Sequence, residues 1–142
     1  MSDFSAFFAQ NKIKTENVKF AVSKNFVGKD GKPIEWELRA LTADEDEEIR
    51  RASTRKVKTP GRSNTYTSEL DSNTYLAKMT ATAVVYPDLK NAELQKSYGV
   101  MGEERLLKAM LSAGEYVQLS GKIAEINGFD NDVNELVDEA KN

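Results

Sequence analysis

The stretch 18-VKFAVSKNFVGKDGKPIEWELRA-40 decides the fold, because its apolar residues keep one parity on both sides of a turn. Val18, Phe20, Val22 and Phe26 sit at even positions, and so do Ile34, Trp36, Leu38 and Ala40, with Glu35, Glu37 and Arg39 between them. Period two on both arms marks a half-buried β-hairpin. A two-residue loop at Asp30-Gly31 would place Val22 opposite Arg39 and split the apolar faces. A three-residue loop, Lys29-Asp30-Gly31, instead pairs Phe26 with Ile34, Val22 with Leu38 and Phe20 with Ala40. That loop needs a left-handed residue at its end, which Gly31 supplies without a Cβ clash. Pro33 then opens the second strand, where a missing donor is tolerable.

A hairpin alone is marginal in water, so its apolar face must pack on something. Helices follow it. In 42-TADEDEEIRRAS-53, Thr42 is a cap, Thr42-x-x-Glu45 fits a capping box, and acids precede arginines as the helix dipole prefers. The run DEDEE therefore reads as helix-start chemistry. A Ca²⁺ loop would want a glycine and alternating oxygen ligands. Further on, Asp71 or Ser72 can cap a helix through about Tyr86, with Tyr75, Leu76, Met79 and Ala83 inward and Pro87 as its stop. Asn91 can cap a short helix carrying Leu94 and Tyr98 that Gly99 ends. Glu103 opens another, closed near Gly114, and a fourth runs from about Glu115 to the stop at Asn127-Gly128. Asp130 can cap a last helix with Val133, Leu136, Val137 and Ala140 on one face. Short connections imply antiparallel neighbours. The expected fold class is α+β, mostly α: an N-terminal two-stranded antiparallel hairpin packed on a compact bundle of four to five helices.

With 142 residues the chain reads as a single domain, 1–142. It divides into an arm at 1–17, the hairpin at 18–41, an acidic helix at 42–53, a basic mobile loop at 54–70 and the helical bundle at 71–142. Phe4, Phe7 and Phe8 share one face of the arm and are expected to dock on the domain as a lid; inserting into a partner is the other reading. Residues 50–62 hold Arg50, Arg51, Arg55, Lys56, Lys58 and Arg62 and no acid, so the rest of the chain carries −9 of the net −3. This is either a nucleic-acid patch or a solvated loop offsetting an acidic protein. The second reading is preferred, because the cluster stands alone. No run is apolar enough to span a bilayer and no signal peptide is evident, which places the chain in the cytoplasm. There is no Cys and no His. That removes thiolate and imidazole chemistry and the commonest zinc sites, so neither catalysis nor a cofactor nor a metal is expected.

Centrally placed, 84-VVYPDLKNAELQKSYGV-100 carries a specific pattern with no reactive group attached. It reads as a corner: Pro87 stops a helix, Asp88 offers a carboxylate to free amides, and Leu89 pins the bend. With 16-ENVKFAVSKNFVGKDGKPIEWELRALTADEDEEIRR-51, 75-YLAKM-79, 84-VVYPDLKNAELQKSYGVMGEERLLKAML-111 and 115-EYVQLSGKIAEINGF-129, the chain resembles the phage XkdN-like tail assembly chaperones. The landmarks cover most of the chain in the family's order. The resemblance implies a non-catalytic protein that binds the tape measure protein, keeps it soluble during tail assembly in the bacterial host and is absent from the mature virion. Candidate partner contacts are Tyr86, Leu89, Leu94, Tyr98 and Tyr116. Two alternatives stay open: a structural tail component retained in the virion, and a nucleic-acid-binding adaptor using the six basic residues.

The resemblance also implies a ribosomal frameshift near the end of the gene, giving a longer form of the chain as a further partner. Ala140-Lys141-Asn142 is compatible with the slippery heptamer A-AAA-AAC. Sequencing the gene tests this expectation: a slip-competent heptamer at codons 140–142 supports it, and codons that cannot re-pair one base upstream exclude a slip there.

Overall fold

The computed structural model describes residues 3–62 and 64–129, so the helix expected from Asp130 lies outside the described residues. Ten elements follow two short 3-10 turns at Asp3–Phe7 and Ala9–Asn11: β1 (Val18–Phe20), β2 (Trp36–Leu38), α1 (Ala43–Ala52), β3 (Thr54–Lys58), β4 (Tyr66–Leu70), α2 (Ser72–Ala83), β5 (Val84–Tyr86), α3 (Ala92–Ser97), α4 (Glu103–Met110) and α5 (Ala113–Ile126).

The hairpin forms with the expected three-residue tip. The Gly28 amide bonds to the Lys32 carbonyl at 2.9 Å, the Ile34 amide to the Phe26 carbonyl at 2.8 Å, and Gly31 adopts φ 76°. Further from the tip the register differs from the expected one. Phe20 pairs with Trp36 and Val18 with Leu38, not Phe20 with Ala40 and Val22 with Leu38. Four extra residues in the Ala21–Asn25 segment account for the shift. They leave the ladder so that Val22 and Ser23 can turn into the interior, where each is only 4% exposed. An even excursion preserves parity, so Phe20, Phe26 and Trp36 still share a face, and Phe26 and Trp36 pack with ring centroids 6.4 Å apart.

The sheet has a third strand that the helix expected through Tyr86 had hidden. The helix α2 ends at Ala83, and Val84–Tyr86 pairs antiparallel with β2, making β2 the central strand of β1-β2-β5. Two β-branched residues and a tyrosine favour the strand, and a residue before proline is pushed out of the α region. The Tyr86-Pro87 peptide is cis.

Residues 54–70, expected as a structureless loop, instead contain the paired strands β3 and β4 in a second, two-stranded sheet. Pro60-Gly61 is its turn: the Arg62 amide reaches the Thr59 carbonyl at 3.3 Å with Gly61 at φ 77°, as a type II turn requires. TRKVK and YTSEL alternate well enough to pair, although neither arm has an apolar face to announce it. The arm also departs from expectation. Phe4, Phe7 and Phe8 are 70%, 81% and 46% exposed and pack on one another instead of forming a lid. Their i, i+3, i+4 spacing brings the rings together within the turn itself.

Caps set the helix ends. At α1 the capping box is complete, with the Glu45 amide on Thr42 Oγ1 at 3.1 Å and the Thr42 amide on Glu45 Oε1 at 2.9 Å. The boundary expected near Gly114 falls earlier. Met110 ends α4, Ser112 caps α5 through a second capping box with Glu115, and Gly114 lies inside the first turn of α5. Asp71 and Asn91 cap α2 and α3 as expected, each carboxyl or amide oxygen accepting a backbone N–H.

The core gathers Trp36, Leu38, Tyr75, Leu76, Met79, Leu106, Leu107, Leu119 and Ile123, each at most 2% exposed. Trp36 joins the sheet to the bundle. Trp36→Ala is therefore expected to cost about 3–5 kcal/mol in denaturant melts. A loss under about 1 kcal/mol would mean that the sheet is an independent arm.

Candidate functional site: a groove along the central helix

Five residues were candidates for partner contact, and the structure separates them. Tyr86 and Tyr98 are exposed, at 54% and 37%. Leu89 is in the core, at 3% exposed. Leu94 and Tyr116 are half-buried against that core. Burial, with help from the nearby Glu104 carboxylate, pushes the Tyr116 phenol up to about 12, so it stays protonated at any physiological pH.

Around Leu89 the stretch 84–100 is held by side-chain ties. Gln95 donates from Nε2 to the Leu89 carbonyl at 2.9 Å and accepts the Gly102 amide on Oε1 at 3.0 Å, so one amide group pins the corner to the start of α4. The end of α3 closes as a Schellman motif: Val100 N–H on Gln95 C=O at 3.1 Å, Gly99 N–H on Lys96 C=O at 3.0 Å, and Gly99 at φ 68°.

The basic residues are not one patch. Arg50 lies across the Tyr75 ring at 4.6 Å and pairs with Asp46 at 2.8 Å, while the Tyr75 hydroxyl donates to Asp46. Arg51 pairs with Glu47 at 3.2 Å, and Arg55 lies 3.8 Å from Asp71. Lys56, Lys58 and Arg62 are exposed and have no ion pair among the described residues. The cluster thus divides into Arg50, which ties α1 to α2, two paired arginines, and three free cations on the β3–β4 hairpin.

A concave surface lies along α2. Two adjoining cavities of about 550 and 480 Å³ share Ala81, Thr82, Lys90 and Glu103 and make one groove along the outer stripe of α2. Its floor is small or aliphatic: Ile49, Ala52, Ala81, Thr82, Val84 and Leu89. Thr82 satisfies its hydroxyl on the Lys78 carbonyl at 2.7 Å and so adds no unmet polar group. The rim is charged and mostly paired, with Lys78–Glu104 at 3.2 Å and Lys90–Glu103 at 3.9 Å. Arg39 stands at one end, pairing with Glu45 at 2.6 Å. One signal could have exposed the groove from sequence: 72-SNTYLAKMTATA-83 is small or apolar nearly all round, and such a helix needs cover on every side.

Comparison with known proteins assigns the chain's family. A model of the family described as phage XkdN-like tail assembly chaperone protein matches residues 4–141. The chain belongs to that family. It is 33% identical over 141 residues to the phage-like element PBSX protein XkdN of Bacillus subtilis strain 168, spanning 99% of this chain and 94% of that one. The uncharacterized protein YqbN of the same strain is 34% identical, spanning 99% of this chain and 93% of that one. The crystal structure of YqbN superposes with a TM-score of 0.75 at 31% identity, covering 92% of this chain and 99% of the other. Membership makes this a tail assembly chaperone-like protein whose partners are phage tail proteins. Among the described residues, no helix is long and apolar enough to cross a membrane.

At the groove's end, the Arg39 guanidinium and the Thr42 amide hold the Glu45 carboxyl down at about 2, from its ordinary 4.5. The folded value lies below the unfolded one, so the pair's stabilisation is present above about pH 4.5 and is lost as pH falls towards 2. Both side chains are about one-third exposed, at 32% and 34%, so after solvent screening the contribution is on the order of 1 kcal/mol. Glu45→Gln keeps a capping-box side chain but cannot ionise. Urea melts from pH 6 to pH 2.5 should show a shallower acid loss for the variant; parallel profiles would mean that the ion pair contributes nothing.

Proposed function

We propose that the chain holds the tape measure protein in a soluble form during tail assembly, receiving one of its amphipathic helices in the groove along α2. The observation that carries this reading is the groove's construction: a floor of Ala52, Ala81 and Thr82 lets a helix backbone approach closely, and the paired charges around it supply a polar rim. Long helical proteins with apolar stripes need such cover before they assemble. The exposed Phe4, Phe7 and Phe8 cluster and Tyr86 offer further apolar contact. No catalytic step is assigned to any residue, the site of action is the host cytoplasm, and the protein leaves before the virion is complete. A frameshifted longer form would present the same groove.

The nucleic-acid alternative is weaker, because three of its six cations are engaged within the fold. Among the described residues, no surface feature favours a retained structural component.

Co-expression tests the proposal. The tape measure protein should gain soluble yield and co-purify with this chain, and the complex should survive moderate salt because apolar area dominates it. Ala52→Trp and Thr82→Trp, which fill the groove, should reduce co-purification at least about tenfold while changing stability by about 1 kcal/mol or less. A tape measure protein equally soluble alone would overturn the chaperone reading. Full binding by both variants would move the site elsewhere.

A further inference from the structure

The β3–β4 hairpin stands out from the body with both faces in water: of its strand residues only Val57 and Leu70 are more than slightly covered. A two-stranded ribbon exposed on both faces buries too little to be stable unaided. Its two outer edges differ in chemistry, and the difference indicates which one is used.

In an antiparallel ladder, hydrogen-bonded pairs alternate with non-bonded ones. Here the Thr59 amide bonds to the Thr65 carbonyl at 2.8 Å and the Asp71 amide to the Ser53 carbonyl at 2.8 Å, in register with the pairs between. The odd-numbered residues of both strands therefore turn their N–H and C=O groups towards each other. The even-numbered ones, Thr54, Lys56 and Lys58 on β3 and Tyr66, Ser68 and Leu70 on β4, turn theirs outward. On β3 the outward positions include two lysines, the usual guard against strand addition. On β4 they include no charge, no proline and no bulge.

We propose that β4 pairs antiparallel with β4 of a second copy of this chain, joining two hairpins into a four-stranded sheet about a two-fold axis at Ser68. The pairing is self-complementary. Ser68 faces its own counterpart, Tyr66 faces the partner copy's Leu70 on one side of the sheet, and Glu69 faces Thr67 on the other, so no like charges meet directly. The lysines of β3 fall on the two outermost strands. Lys56 and its counterpart then stand three strand spacings apart, roughly 14 Å, which exceeds the screening length of roughly 8 Å at physiological salt. Pairing through β3 would instead bring Lys56 and Lys58 of the two copies together. Charge thus selects the β4 edge, and this inference is independent of the groove.

Sedimentation equilibrium of the full chain from micromolar to millimolar concentration tests it. The chain should dimerise reversibly. Ser68→Pro removes an outward donor on each copy while sparing every β3–β4 bond, so it should weaken the dimer at least about tenfold with unchanged circular dichroism. Lys56→Ala should leave the dimer intact. Because the chain has no cysteine, Ser68→Cys gives a second readout that does not depend on the proline variant folding: on oxidation it should form a disulfide-linked dimer, and Lys56→Cys should not. A chain that stays monomeric at millimolar concentration, or a Lys56→Cys cross-link as efficient as that of Ser68→Cys, would overturn the proposal.

Discussion

Everything else in the fold is arranged around the burial of α2. Tyr75, Leu76, Ala77, Met79, Thr80, Ala81 and Ala83 of this one helix are all buried, which requires neighbours on nearly every side. The helices α1, α4 and α5 and the strand β5 supply them. Two polar links cross the helix's surroundings and orient those neighbours. Tyr75, Asp46 and Arg50 form a hydrogen-bonded and stacked cluster that holds α1. Thr80 gives its hydroxyl to the Leu76 carbonyl at 2.7 Å and meets Ser120 of α5 at 3.0 Å. Burial raises the Tyr75 phenol, and its bond to Asp46 raises it further, so the hydroxyl remains a donor. Buried polar groups satisfied in this way add register to a core whose apolar contacts are non-directional.

The chain's irregular segments serve the same end. Asn127 accepts the Leu41 amide at 2.7 Å and donates to the Ile123 carbonyl at 2.8 Å, so the exit from the sheet is tied to the end of the last described helix. That end is itself a Schellman motif, with Phe129 N–H on Ala124 C=O at 2.8 Å and Gly128 at φ 76°. The landmarks that make the family visible, from the Tyr-Pro-Asp-Leu corner to the Asn-Gly-Phe stop, are thus corners and locks. They fix the 88–104 segment, which with α1 and α2 lines the groove. A rigid groove with small residues on its floor suits a partner that contributes the bulky side chains.

The candidate contacts show what residue type alone leaves open. Leu89 and Tyr86 lie three residues apart in one motif, yet one is buried and the other is exposed. Their apolar character is equal for this purpose, and only the corner between them decides which faces inward. The groove floor escaped notice for the opposite reason. Alanine and threonine carry little hydrophobic signal, so a concave surface floored by them leaves no mark in the sequence. Likewise, the six cations within 50–62 look like a patch until Asp46, Glu47 and Asp71 are placed beside three of them.

What the sequence determined by itself is local. The parity of 18–40, the three-residue tip closed by Gly31, the caps at Thr42, Asp71 and Asn91, and the inward face of α2 all depend on residues within a few positions of one another. Side-chain period, backbone sterics and the helix dipole suffice to read them. Tertiary structure decided the rest. Val84–Tyr86 becomes a strand because β2 offers it an edge, and three residues are too few to announce that alone. Ala21–Asn25 leaves the ladder because Val22 has a core to enter, and 54–70 pairs into a hairpin although no apolar face marks it. In each case the determining energy comes from burial or pairing between segments far apart in the chain, which no short window of sequence contains.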